Sequence, residues 1–529
     1  MKKTILISLL AMSSALAGEL KISINPDKQY QTIDNFAAAD AWSGNFVGQY
    51  FDEAQKGQIA KWLFSQKIGE DGNPEGIGLS LWRFNIGGGT LEQDGANIIP
   101  FQRRAESFKT KDGQAYDWGK CAGQMYFVKK AKEYGCEKLL LFSNTPLVQY
   151  TRNGQGYGEL KDNKANIKPD CYDKYADYMA TVAKKFGEMG YKVDYISPIN
   201  EPQVNWDSNR QEGSPWYNSE MKKLVVELDK ALTEKNLDTI IYFGEAAHPR
   251  YLYADSSSYE NVPVKRWEKD PAEERPGSMI KNFFDPKSKF YIGDLKHMPK
   301  FVVGHSYHAH LRNPKMEEVH KNVAKECKKY GIDYHQSEWC LLPHYTWKRM
   351  DNFTQDWYSH NRGDIQTALL IGRIAYSDFV NANSLAWGYW KGMEIKGDHA
   401  LTGVYPVKTG RLEDGGVVVA NKILWGLGNF SLFVRPGFKR IDMVGADDLN
   451  NVAGVSFISP DAKRIVAVFV NSSFKATGVE IDLPAKYKNA KARAFRTDKN
   501  MDLGNLWVDE NADEFMLAPR SITTIVYDL

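Results

Sequence analysis

Two glutamates, each following an apolar run, are the residues whose setting points most directly to chemistry. Glu201 follows the run 193–199, and Glu338 follows the run 332–336. If the two runs are parallel strands, their carboxyl ends meet at one edge and both glutamates face one pocket. Double displacement at a glycosidic bond needs two such groups about 5 Å apart, one ionised as nucleophile and one protonated as acid. The charge of the first raises the pKa of the second, which favours this division of roles.

The elements that would position these glutamates are eight apolar or β-branched runs with polar ends. They span 35–40, 78–83, 138–144, 193–199, 240–245, 301–307, 332–336 and 384–390. Segments with apolar residues at helical spacing lie between them, at 172–189, 221–235, 316–330 and 364–379. This alternation predicts a (β/α)8 TIM barrel rather than an open doubly wound sheet, since no Gly-rich phosphate turn follows the first run. Glu201 and Glu338 then end the fourth and seventh strands.

The rest of the chain divides into three further parts. Residues 1–17 combine two lysines, a short apolar stretch and small residues before Gly18, which predicts a signal peptide cleaved after Ala17. Residues 18–33 alternate and are predicted to add a strand to a C-terminal domain, and residues 34–430 form the barrel. From Ser431 to residue 529 short alternating stretches with polar turns predict an antiparallel β-sandwich side domain.

Composition is that of a soluble globular protein outside the cytoplasm. Hydrophobic residues make up 43% and charged residues 25% of the chain, and no later run is long enough to be a transmembrane segment. The net charge of +2 argues against nucleic acid as a partner. The sequence therefore predicts a secreted, periplasmic or cell-surface protein, and it leaves the oligomeric state open. Five cysteines, an odd number without a C-x-x-C pair, are expected to be lone buried thiols.

From about Gln31 to the C-terminus the chain resembles glycoside hydrolase family 30, a family of retaining glycosidases with a (β/α)8 barrel. The resemblance rests on GLSLWRFNIG at 78–87, ISPINEPQ at 196–203, QEGSP at 211–215, HSY at 305–307, QSEWC at 336–340, residues 422–431 and FVRPG at 433–437. It implies a cofactor-free enzyme with Glu201 as acid/base and Glu338 as nucleophile. It also implies that Arg83 and Tyr307 orient the Glu338 carboxylate. The residues expected to line the subsite of the attacked sugar are Asn144, Asn200, His305 and Trp387.

Several other residues are candidates on position alone. Glu245 ends the fifth strand and is interpreted as a subsite residue or a support for the catalytic pair. Aromatic residues make up 13% of the chain. Five tryptophans near strand ends or on the following loops are candidates either for stacking on a sugar or for packing within loops: Trp42, Trp206, Trp216, Trp339 and Trp390. His308 and His310 would share a strand face as a metal pair. No third ligand at a familiar spacing accompanies them, so we expect no metal site.

The substrate predicted from the resemblance is an oligosaccharide or polysaccharide. The segment from Asn200 through Trp206 to residues 211–215 looks most like the branch that cleaves β-1,6-galactan internally, an endo-β-1,6-galactanase acting on arabinogalactan-type side chains. Related activities on β-1,6-glucan, β-xylan, β-fucosides or glucosylceramide remain open, as does endo or exo action. The alternative from another class is an inactive barrel that binds carbohydrate. The two carboxyl groups with their Asn, Arg and Tyr neighbours argue against it, because binding alone needs no acid pair.

Overall fold

A parallel barrel and a second, mostly antiparallel sheet make up the computed structural model of the chain. The structure describes residues 19–93, 99–158, 162–207, 210–255, 264–309, 313–342, 364–395, 397, 400–406, 409–509 and 513–529. The predicted signal peptide lies outside these residues. Within them, no helix combines the length and the apolar character needed to cross a membrane. All five cysteines are buried and form no disulfide, as expected from the sequence.

The barrel is built from eight strands that follow an initial strand, β1 (Glu19–Thr32). They are β2 (Asn35–Ala39), β3 (Leu81–Asn85), β4 (Lys138–Phe142), β5 (Tyr195–Ser197), β6 (Ile240–Ile241), β7 (Phe301–His305), β8 (Asp333–Glu338) and β9 (Ser384–Lys391). All adjacent pairs are parallel, in the order β6-β5-β4-β3-β2-β9-β8-β7. Backbone bonds from Ala246 to Val303 and from His305 to Ala246 join the two edges. The predicted barrel is confirmed, with one strand in each of the eight apolar runs.

Helices fill the connections between the barrel strands. They span Ser43–Tyr50, Glu53–Phe64, Ala122–Glu133, Tyr172–Glu188, Asn218–Glu234, Arg250–Tyr253, Met279–Phe284, Asn313–Tyr330, Ile365–Val380 and Lys422–Ser431. The four helices predicted from spacing lie within two or three residues of their expected bounds. The helix Tyr172–Glu188 shows why, since Tyr175, Met179, Val182 and Phe186 form a buried stripe against the barrel.

The remaining strands form two sheets. A small one contains β10 (Met393–Ile395), β11 (Thr402–Pro406) and β12 (Gly416–Ala420). The side sheet contains β13 (Lys439–Val444), β14 (Val452–Ile458), β15 (Arg464–Asn471), β16 (Thr477–Asp482), β17 (Lys491–Thr497), β18 (Gly504–Asp509), β19 (Glu514–Leu517) and β20 (Ser521–Asp528). Strand β1 completes it, antiparallel to β13 and parallel to β16. This single sheet of nine strands folds over, so that Phe469 of β15 lies 5.9 Å from Phe515 of β19.

Two helices beside the first barrel strand approach each other through glycines. A β-carbon at Gly123 would lie 1.8 Å from the carbonyl oxygen of Asn45, and one at Gly48 would lie 2.1 Å from that of Gly123. Non-bonded atoms cannot approach this closely, so a side chain at either glycine would clash with the backbone of the facing helix. The packing of Ser43–Tyr50 on Ala122–Glu133 therefore depends on the absence of side chains at both positions.

Replacing Gly123 with Ala is expected to lower the free energy of unfolding by about 3 kcal/mol or more, the upper end of the usual cost of overpacking. Gly187→Ala is the matched control, because Gly187 also lies in a helix but has no atom within 4 Å of the added carbon. Its free energy of unfolding should stay unchanged or rise by up to about 1 kcal/mol. Urea titration followed by circular dichroism measures both. Equal stabilities of the two variants would contradict this account.

Candidate active site

The carboxyl ends of the barrel strands, here called the mouth, bring the two predicted carboxylates together. Glu338 is the last residue of β8, and Glu201 lies on the turn after β5. Glu201 has a φ of 43° and Glu245 one of 40°, both in the left-handed region that few non-glycine residues adopt. The Glu201 amide donates to the Glu245 carbonyl oxygen at 2.9 Å, which ties these two turns together.

Glu201 and Glu338 face the same small space. One oxygen from each carboxylate and Nδ1 of His305 all lie within 4.8 Å of one another. The Glu338 side chain is 5% exposed and that of Glu201 is 13% exposed, so Glu201 is the more accessible of the two to water. The separation matches that of a nucleophile and an acid/base in retaining glycosidases rather than the wider gap of inverting ones.

Two side chains donate hydrogen bonds to the Glu338 carboxylate, one to each oxygen. Arg83 Nη1 donates to Oε2 at 3.1 Å, and Tyr307 Oη donates to Oε1 at 3.0 Å. Burial raises the pKa of Glu338, and the charges of Glu201 and Glu245 raise it further, while His305 and Arg83 act in the opposite direction. The structure thus places Arg83 and Tyr307 where the resemblance implied, in contact with this carboxylate.

Glu245 is part of the same network and has no surface for a ligand. Its side chain is 0% exposed, and it accepts hydrogen bonds from Arg83 at 3.2 Å, from His305 Nε2 at 2.8 Å and from Ser337. Burial alone would raise its pKa, but the Arg83 charge and these bonds lower the pKa to about 2. Of the two interpretations offered by the sequence, the geometry favours support of the catalytic pair over a subsite contact.

His305 lies between three carboxylates. Its Nδ1 is 2.9 Å from Glu201 and 3.6 Å from Glu338, and its Nε2 binds Glu245. Burial would lower the pKa of His305, but the charge of Glu338 and the hydrogen bonds to Glu201 and Glu245 raise the pKa to about 10. The imidazole is therefore a buried cation that donates from both nitrogens at neutral pH.

Two positively charged side chains, Arg83 and His305, lie against the three carboxyl groups of Glu201, Glu245 and Glu338. A charge buried without a partner is costly at low dielectric, so the charge state of each carboxyl group depends on that of its neighbours.

Asn144 and Asn200 are buried beside these groups with unused polar atoms. Neither Oδ1 nor Nδ2 of Asn144 has a hydrogen-bond partner among the described residues, and Oδ1 of Asn200 lacks one as well. Their side chains are 1% and 3% exposed. Buried amides are normally paired, so a ligand with hydroxyl groups would complete both.

Two of the predicted tryptophans border the mouth. Trp206 donates from Nε1 to the Glu201 carbonyl oxygen at 3.2 Å, on the side of the predicted acid/base. Trp42 lies on the opposite side, with Arg103 and Lys391 within 5.4 Å of its ring centre and Trp390 edge-on at 5.6 Å. Its ring faces are occupied, and its Nε1 lacks a partner among the described residues. Trp42 therefore presents an N–H rather than a stacking surface.

The structure does not bring Trp387 and Trp339 into the mouth. The Trp387 indole donates to Asp378 of the helix behind the barrel wall at 3.0 Å, and both rings are 0% exposed. Trp390, three residues further along β9, points the other way, because successive strand residues alternate between faces. Its ring lies 6.1 Å from Phe142, against which Arg83 packs. Strand geometry puts Trp387 and Trp390 on opposite faces of β9, but it does not tell from the sequence which face lines the mouth.

The possible metal ligands lie within the catalytic group. Oxygens of Glu201 and Glu338 with His305 Nδ1 form a set that a divalent cation could use. A cation there would have to displace the proton that three carboxylates hold on His305, so the donor set fits a proton better than a metal. His308 lies beyond the end of β7 with φ 61°, so it is not on a strand face as the proposed metal pair required. His310 lies outside the described residues.

Sequence comparison finds two similar enzymes. The chain is 24% identical over 255 residues to an endo-beta-1,6-galactanase of Hypocrea rufa, a match that covers 44% of this chain and 51% of that enzyme. It is 22% identical over 237 residues to an exo-beta-1,6-galactobiohydrolase of Bifidobacterium longum, covering 35% and 15%. The chain thus matches about half or less of the length of these relatives.

A solved structure matches the whole fold. A conserved exported protein from Bacteroides fragilis superposes with a TM-score of 0.85 and 28% sequence identity, over 96% of this chain and 99% of that one. Residues 19–399 match the model of O-glycosyl hydrolase family 30, which is most of the chain. By its sequence and its fold the chain therefore belongs to O-glycosyl hydrolase family 30.

Proposed function

We propose that this chain is a retaining glycoside hydrolase that cleaves β-1,6-linked galactan chains outside the cytoplasm. The observation that carries the proposal is the pair Glu201 and Glu338, since one oxygen of each carboxylate and Nδ1 of His305 lie within 4.8 Å of one another. That spacing suits the nucleophile and the acid/base of a retaining glycosidase. Arg83 and Tyr307 both donate to Glu338, which suits an ionised nucleophile, and the more accessible Glu201 is then the acid.

The reaction follows from this arrangement in two steps. An oxygen of Glu338 forms a bond to the anomeric carbon while the bond to the leaving oxygen breaks, and Glu201 gives its proton to that oxygen. A water molecule then attacks the anomeric carbon, Glu201 takes a proton from the water, and Glu338 departs as a carboxylate. Trp206 borders Glu201 and so lies on the leaving-group side, whereas Trp42 and Trp390 lie on the side of the attacked sugar.

The choice of galactan rests on the relatives. Both enzymes described above act on β-1,6-linked galactans, one as an endo-enzyme and one releasing galactobiose from chain ends. The resemblance of residues 200–215 points to the same branch. For localisation, the N-terminal signal pattern and the exported Bacteroides fragilis neighbour support secretion or display at the cell surface.

Replacing Glu338 with Gln should reduce kcat on every substrate by at least about 10⁴-fold, because the nucleophile is lost while the shape is kept. Glu201→Gln should reduce kcat/KM by about 10²–10⁴-fold for natural glycosides and much less for dinitrophenyl glycosides, whose leaving group needs no proton. The exposed Glu188→Gln is the matched control and should be fully active. Circular dichroism verifies folding. A Glu338→Gln enzyme with near-native turnover would refute the assignment.

The acid limb of activity should report the ionisation of Glu338. Glu338 must be ionised to attack, so kcat/KM rises with pH through its raised pKa. In the proposed reaction Glu201 is the acid and is neutral while Glu338 ionises, so Glu201→Gln, which keeps a neutral side chain there, should leave this limb in place. The measurement is the pH profile of kcat/KM with a dinitrophenyl β-galactoside, which needs no acid catalysis. A limb that moves to lower pH would mean that Glu201 is charged when Glu338 ionises, and would contradict the assigned roles.

Hydrolysis of a polysaccharide panel tests the substrate. With β-1,6-galactan, β-1,6-glucan and β-1,4-xylan at equal mass, galactan should release reducing ends fastest. Proton NMR of the first product should show the β-anomer, since two inversions restore the configuration. Faster release from glucan or xylan would overturn the galactan proposal but not the hydrolase. A first product of inverted configuration would overturn the mechanism, and binding without release would favour the carbohydrate-binding alternative.

A further inference from the structure

Asp378 is a buried carboxyl group that the mechanism does not use. It lies on the helix Ile365–Val380, which is packed between the barrel and the side sheet, as the 5.6 Å contact of Phe379 with Phe457 shows. Its exposure is 0%, and its side chain points toward the outer wall of the barrel. Such a group is normally replaced by an apolar residue unless its polar atoms are needed.

The carboxyl oxygens of Asp378 bind two barrel segments that flank the strand of the nucleophile. Ser306, directly after β7, donates from Oγ at 2.9 Å to Oδ1. Trp387, in the middle of β9, donates from Nε1 at 3.0 Å to Oδ2. Strand β8, which ends in Glu338, lies between β7 and β9 in the barrel. The side chain of Asp378 therefore binds a segment on each side of β8, the strand that ends in Glu338.

A backbone hydrogen bond connects Ser306, which Asp378 binds, directly to Glu338. The amide of Ser306 donates to the carbonyl oxygen of Glu338 at 3.1 Å, and Ser306 directly follows His305. Asp378 holds the Ser306 side chain and so fixes the backbone position of Glu338. It also fixes the backbone of the adjacent His305, whose imidazole lies between the three carboxylates.

No cation among the described residues compensates Asp378. The neighbouring ring is His320, with Nε2 at 3.3 Å from Oδ1, and burial lowers the pKa of His320 to about 3, so the ring is neutral. Burial raises the pKa of Asp378 itself to about 8, although the bonds from Ser306 and Trp387 act in the opposite direction. The group is therefore mostly protonated at neutral pH, and burying its polar atoms still costs stability unless hydrogen bonds such as those from Ser306 and Trp387 satisfy them.

We infer that Asp378 is a positioning residue that sets the reactive geometry of Glu338 by bracing Ser306 and Trp387 from behind the barrel wall. It contacts neither substrate nor reacting atoms, and it acts through Ser306 on Glu338. The inference rests on the proposed role of Glu338 as nucleophile.

The test measures the attack step alone. A dinitrophenyl 2-deoxy-2-fluoro-β-galactoside traps the glycosyl-enzyme, so the rate of mass gain reports bond formation by Glu338. Asp378→Asn should be labelled at least about tenfold more slowly than the wild type, because small misplacements of a nucleophile are expensive. Its KM on an aryl galactoside should change much less than kcat. Ser306→Ala, which removes one partner and no buried charge, should also be slowed, and Asp378→Asn should add little in its background.

Asp34→Asn is the matched control, because Asp34 binds Tyr195 at the opposite end of the barrel. It should lose stability but keep its labelling rate. Rates are expressed per folded molecule from circular dichroism. Asp378→Asn or Ser306→Ala labelled at the wild-type rate would overturn the inference, as would an equal slowing in Asp34→Asn, which indicates general loosening. A wild type that is neither labelled nor active on any glycoside would instead refute the proposed function.

Discussion

The structure of the mouth depends on one electrostatic constraint, the pairing of buried positive charges with carboxyl groups. Arg83 and His305 are buried and positively charged, and the carboxyl groups of Glu201, Glu245 and Glu338 face them. An unpaired charge at low dielectric costs several kcal/mol, so the loss of one partner would leave the others unbalanced. Glu245 binds both cations and is therefore as necessary to this arrangement as Glu201 and Glu338.

The barrel makes this group possible because it gathers residues that are far apart in the chain. Arg83 comes from β3 and reaches both Glu245 and Glu338, while His305 from β7 reaches across to Glu201. Arg83 lies within β3, and His305 and Glu338 end β7 and β8, so the neighbouring strands hold their backbones before the side chains are placed. Ser337 adds a donor to Glu245 from β8, the strand that ends in Glu338.

Much of this arrangement was predictable from the sequence, because strand ends in a parallel barrel converge whatever the loops do. The eight apolar runs located the strands and placed Glu201 and Glu338 at strand ends, while the resemblance to the family implied Arg83 and His305. Trp387 shows where the reasoning stopped. A strand buried on both faces has no polar alternation, so the run 384–390 did not reveal which tryptophan faces the mouth and which faces the helix. Ser337 and Asp378 were missed because their roles depend on distances between elements.

The two sides of the mouth differ in how they allow specificity to vary. Trp206 rests on Gly213, where a β-carbon would lie 2.2 Å from the indole, so its position depends on the loop 211–215. Trp42 is instead enclosed by Arg103, Lys391 and Trp390. In the proposed reaction the side of Trp42 holds the attacked sugar and the side of Trp206 holds the leaving group. Because the position of Trp206 depends on a loop, a change in that loop can alter specificity while the charged centre stays the same.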